Sequence, residues 1–224
     1  MTNVAYIIIS VLCFVPAIVL HECGHAFMAY KLGDPTAKNA GRLTLNPLKH
    51  VDPLGTVILP VVMMLMGGPV FGYAKPVPYN PAYFEDKRKG DILVAVAGPG
   101  VNLLLALAAC AVAWIFRLVA GSLLTSSFAY YVVYFLMYFT LINLFLMFFN
   151  LIPIPPLDGS AIFVLLPERF LPTYYTVQRY AMPFFLILVF VIPAIFNVNP
   201  IGVYLNWAAG GFYDLLFPAF YVAV

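Results

Sequence analysis

The pentapeptide HECGH occupies residues 21–25. His21 and His25 are four residues apart, about one helical turn, so on a helix both imidazoles leave the same face. Two imidazoles on one face make half of a tetrahedral zinc site. Glu22 lies about 100° round the helix from His21, beside such a metal and not on it, where a carboxylate can act as general base. Cys23 points to the opposite face, about 200° from His21, and is not expected as a ligand. The chain has three histidines, and two of them fall in this pentapeptide, so chance placement is a poor explanation of the spacing. A catalytic zinc keeps three protein ligands and an open position for water, so a third ligand is required. Asp158, His50 and Asp214 are the candidates. Asp158 lies in NLIPIPPLDGS, where Pro153, Pro155 and Pro156 break the backbone and can turn a carboxylate inward. The same residue could instead cap a turn at the water interface. His50, in LNPLKHVDP, also reads as an interfacial histidine, and Asp214 lies in a weakly patterned C-terminal stretch.

These residues must be positioned by elements that are almost wholly apolar. Of the 224 residues, 64% are hydrophobic and 9% charged; the mean hydropathy is +0.98. A soluble domain carries about a quarter charged residues. The chain is therefore read as an all-α integral membrane protein, because lipid leaves open backbone groups without partners. A net charge of +2 gives no electrostatic footprint for nucleic acid. Cys13, Cys23 and Cys110 are odd in number and lie in apolar runs, so they are read as reduced. Residues 4–20 are expected to be a permanent helix and not a signal peptide, since no positive charge precedes them and no cleavage pattern follows. No repeat is visible, and a single domain over 1–224 is expected, with a catalytic core at about 4–167.

Apolar segments at 4–30, 54–71, 92–117, 129–149 and 180–196, with an aromatic-rich stretch at 203–223, predict a polytopic bundle of five or six membrane segments. Ten of the eleven Lys and Arg fall in 31–52, 73–91 and 150–180. The positive-inside rule places all three loops in the cytoplasm and the N-terminus outside. That requires 54–70, with Pro60, Gly67, Gly68 and Pro69, to be re-entrant; a short spanning helix is the alternative. Seventeen residues at 1.5 Å place His21 about 25 Å along the first helix, below the surface on the cytoplasmic side. GYAKPVP at 72–78 has no helical pattern and favours extended geometry. It is expected to form a small extended or β element between the first two helices, with Tyr73 and Val77 on an edge that pairs with unwound substrate. A plain Pro-rich connector is the alternative.

The chain resembles the site-2 proteases, zinc metalloproteases that cut peptide bonds within membranes. HECGH matches their HExxH helix. NLIPIPPLDG at 150–159 is similar to their Asn-x-x-Pro…Leu-Asp-Gly segment, AGPGVN at 97–102 to their Gly-Pro-x-x-Asn, and GRLTLNPLKHVDPLGT and GYAKPVPYNP to the compact bacterial and archaeal branch. The resemblance implies His21, His25 and Asp158 as ligands of one zinc per chain, with Glu22 as the catalytic base. It implies Asn150 as a substrate contact and admits Asn102 as another, beside a packing role. Substrates are expected to be single-pass membrane proteins in a cell membrane. The PDZ and CBS domains of some relatives are not expected here, the 118–128 loop being too short for a domain. A transporter or ion-binding protein, which also buries His, Glu and Asp, is the competing class.

Overall fold

The computed structural model describes residues 3–58, 74–120 and 127–218. Helix α1 spans Asn3–Lys31 and ends in a glycine stop. Gly33 takes φ +100°, and the Gly33 and Asp34 amides donate back to the carbonyls of Tyr30 and Ala29. A left-handed residue at this point caps the open carbonyls of the last turn. Helix α2 spans Lys87–Ala120. Asp86 precedes it and accepts from the amides of Arg88 and Lys89 at 3.0 and 3.1 Å. Those bonds, the Lys89 amide first, hold the Asp86 carboxyl below the usual carboxylate range. Helix α3 spans Ser127–Asn150 and stops where the proline run begins.

Helices α1, α2 and α3 pack against one another. Their contact faces are small: Ala17, Ala26, Ala29, Ala106, Ala109 and Ala113 are all buried. Small residues let membrane helices approach closely without a hydrophobic drive between them. Their outer faces carry Val4, Ile7, Ile8, Leu104, Leu118 and Val119, all exposed, as expected for surfaces solvated by lipid. Buried polar side chains lie inside instead: Asn102, Thr140 and Asn143 are each 0% exposed.

After α3 the chain makes a 3₁₀ turn over Asp158–Leu165 that packs on α2. Helix α4, Leu171–Arg179, follows. The Glu168–Arg179 and Ala181–Phe196 stretches meet at a 64° bend. The second of these, α5, includes a π-helical stretch at Ile187–Val191. A last helical run at 200–216, α6, rests on α2 and α3, where Ala209 and Phe217 join Ala106, Cys110, Leu144 and Met147 in the core.

Among the described residues three helices are long and apolar enough to cross a membrane, or four if the bent pair counts as one span. This is fewer than the five or six segments expected. The 180–196 segment is broken, and 54–70, the expected re-entrant stretch, lies largely outside the described residues. No strand occurs among the described residues, so 74–80 is irregular and not a β element. Pro76 and Pro78 remove two backbone donors, and three of the remaining backbone groups bond to loop residues, not to a ladder. The Lys75 amide donates to the His50 carbonyl at 2.9 Å, the Arg42 guanidinium donates to the Lys75 carbonyl, and the Asn80 amide donates to Asp34 at 2.6 Å.

Candidate metal centre

The four-residue spacing on α1 brings the His21 and His25 Nε2 atoms to 3.1 Å from each other. The 3₁₀ turn after α3 brings in Asp158, whose Oδ2 lies 3.2 Å from His21 Nε2 and 3.3 Å from His25 Nε2. Among the described residues this is the one group of three such side chains that could hold an ion. Bond lengths of about 2.0–2.1 Å in a tetrahedral zinc site imply ligand–ligand edges of about 3.3–3.4 Å. The observed triangle is close to that.

The far side of each ring fixes which nitrogen faces the triangle. His21 Nδ1 stands 2.5 Å from the Asn102 side-chain oxygen, and His25 Nδ1 stands 2.7 Å from the Val94 carbonyl. Both partners are acceptors, so each Nδ1 carries the proton and donates. The Asn102 orientation is set in turn, because its amide donates to Asn143 Oδ1 at 2.9 Å and to the Ala17 carbonyl at 3.3 Å. Neutral imidazoles held this way present bare lone pairs at Nε2. Three acceptors then face one another across about 3.2 Å. Asp158 Oδ2 is buried with no hydrogen-bond partner among the described residues. Such an arrangement is repulsive unless a cation sits among the three, so the donor set fits zinc.

Two glycines permit the approach. A β-carbon on Gly98 of α2 would overlap His25 Nε2 and His21 Cε1. One on Gly159 would overlap the Leu151 carbonyl, which the Asp158 turn crosses.

The triangle opens on a cavity of about 630 Å³ whose walls include Glu22, Val77, Asn150 and the aromatic rings of Phe14, Phe149 and Phe185. Glu22 therefore shares the space with His21, His25 and Asp158. Asn150, the last residue of α3, reaches the cavity and spends one amide proton on the Leu146 carbonyl at 3.0 Å. Val77 reaches it from the irregular segment. Tyr73 lies outside the described residues. Asn102, considered as a substrate contact, is fully enclosed behind His21 with its oxygen and amide engaged. A Gly-Pro pair four residues ahead of an asparagine gave no sign that the amide would orient an imidazole across 81 residues of sequence. His50 is buried away from the triangle, with Nε2 2.8 Å from the Thr44 carbonyl, and the Cys23 thiol donates to that same carbonyl. Asp214 lies on α6, outside the group of three.

The chain is 37% identical over 202 residues to YwhC of Bacillus subtilis, named as a zinc metalloprotease, covering 88% of this chain and 83% of that protein. The chain belongs to peptidase family M50. The profile of that family matches residues 118–192, which carry α3 and the Asp158 turn. Rip2 of Mycolicibacterium smegmatis, also named as a zinc metalloprotease, is 34% identical over 159 residues, 71% of this chain and 57% of that one. Rip2 of Mycobacterium tuberculosis is 34% identical over 145 residues, 65% of this chain and 52% of that one. No solved structure matches the chain. Membership bears out the site-2 protease resemblance: the chain is an intramembrane zinc metalloprotease with several apolar membrane helices, and the transporter reading is not favoured.

Proposed function

We propose that one zinc per chain is held by His21, His25 and Asp158, and that Glu22 is the general base for hydrolysis of peptide bonds in membrane segments. The observation that carries this reading is the triangle of bare acceptor atoms, with edges of 3.1–3.3 Å, whose two imidazoles are anchored from behind. Zinc bound there supplies Lewis acidity, lowering the pKa of water toward about 7 and polarising a carbonyl. Glu22 accepts the proton of the attacking water and returns it to the leaving amine. Its position on α1, next in sequence to His21, keeps the carboxylate at the cavity wall through both transfers.

The substrate is a membrane-spanning segment of a single-pass protein. Such a helix hides its peptide bonds in its own hydrogen bonds and must unwind before it is cut. Unwound backbone then needs partners. Val77 offers backbone groups from a stretch that makes no ladder of its own, Asn150 offers an amide carbonyl, and Tyr73 is the further contact proposed from the sequence. The aromatic walls hold the apolar side chains. The basic loops support a reading in which this end of the bundle faces the cytoplasm across the cell membrane, with the N-terminus outside. The whole chain 1–224 acts as one domain.

Glu22→Gln tests the assignment. The variant keeps one zinc per chain and loses cleavage of a reconstituted single-pass substrate. Full retained cleavage refutes the role of Glu22, and a purified wild-type chain without zinc refutes the centre.

A further inference from the structure

The cavity wall holds a third carboxylate, one that the hydrolysis does not use. Asp91 lines the same space as the zinc triangle. It is 7% exposed, and its Oδ1 has no hydrogen-bond partner among the described residues. Tyr79 lines the cavity beside it. Two cations of the same helix end are engaged elsewhere, Arg88 with Glu168 at 3.4 Å and Lys89 with Asp86 at 3.7 Å, and Lys87 is exposed with no ion pair to Asp91 among the described residues. A buried carboxylate oxygen without a donor is costly, and the cost is relieved by a cation brought from outside.

Its place on α2 gives a distance. Asp91 lies seven residues before Gly98, the point where α2 presses on the two imidazoles. Seven residues of helix rise about 10 Å. An extended chain covers that in about three residues. The offset runs toward Lys87, the end of α2 that joins a basic loop. Single-pass proteins carry Lys and Arg beside their membrane segment on the cytoplasmic side, so a substrate entering with its unwound end here brings the required charge.

We propose that Asp91 is a specificity-determining subsite that accepts a Lys or Arg side chain of the substrate about three residues from the cut bond. The proposal rests on the protease reading above and names the substrate feature that the site selects. Tyr79 lines the same cavity from the irregular segment, so the subsite joins α2 to the wall that receives substrate.

Binding, not turnover, is the test, so that it does not depend on cleavage. Full-length Glu22→Gln protein in detergent is titrated with a fluorescent single-pass peptide carrying one Lys, and with its Lys→Met counterpart. The Lys peptide binds about tenfold tighter, the ordinary size of a charge-assisted hydrogen bond. Adding Asp91→Asn, which preserves shape, removes that preference and leaves the Met peptide's affinity and the zinc content unchanged. Moving the Lys along the peptide gives a maximum near the third residue from the cut. Equal binding of both peptides to the Asp91 protein overturns the proposal, as does a preference that survives Asp91→Asn. Failure of the protease reading shows differently, as a chain without zinc or as full cleavage by Glu22→Gln.

Discussion

His21 Nδ1 and the Asn102 side-chain oxygen stand 2.5 Å apart, both buried. This contact joins α1 to α2 and continues through the Asn102 amide to Asn143 on α3, so one polar chain ties the three helices to a single imidazole. Asn102→Ala removes the acceptor and leaves His21 free to rotate or to change tautomer. Loss of such an outer partner lowers metal affinity about 10- to 100-fold. Competition with a calibrated chelator measures it; an unchanged zinc affinity would refute the orienting role.

Gly98 makes a second prediction. Gly98→Ala places a methyl group against His25 Nε2 and His21 Cε1. Overpacking of this kind costs about 1–3 kcal/mol, and here the groups that must yield are the ligands. Zinc content and cleavage both fall. Gly100→Ala is the control, because a β-carbon there meets nothing within 4 Å.

Acid should strip the metal through the imidazoles and not through the aspartate. An ordinary aspartate titrates near about pH 3.9, so Asp158 stays ionised as pH falls through 6 and 5. Ordinary imidazoles take up protons near pH 6.5, and a protonated ring cannot ligate. Zinc content measured after equilibration from pH 8 to pH 4 therefore drops below about pH 6. A midpoint near pH 3 would mean that the carboxylate, not the rings, sets the loss.

Asp34 holds the segment that walls the cavity. It is 0% exposed and accepts from the amides of Thr36 at 2.9 Å and Asn80 at 2.6 Å. Asp34→Ala strands both donors, at about 1–3 kcal/mol. Thermal unfolding in detergent moves to lower temperature while zinc content is retained, since Asp34 lies outside the metal triangle. Loss of zinc at low temperature would show that the 74–80 segment also supports the centre.

Much of this was legible without coordinates because it is local. The pairing of His21 with His25 follows from helical periodicity, and so does the turning away of Cys23. The three long helices follow from apolar runs of membrane length, with ends differing from expectation by a few residues. The irregular 74–80 segment was read as extended because its prolines exclude helix, but proline content cannot tell a strand edge from a loop pinned at Lys75 and Asn80. The bend before Ala181 was missed for a similar reason: an apolar run records affinity for lipid and not direction.

The choice among Asp158, His50 and Asp214 was beyond local pattern. Each is chemically able to bind zinc, and they lie 29 to 193 residues from His21 in the chain. The sequence alone determined that two imidazoles and a carboxylate share a helix inside an apolar bundle, because 3.6 residues per turn and the cost of burying charge leave little freedom. Beyond the resemblance, only the tertiary structure showed Asp158 closing the triangle, which ring nitrogen faces it and that Asp91 also lines the cavity, because those depend on how closely α1, α2 and the 158–165 turn approach across Gly98 and Gly159.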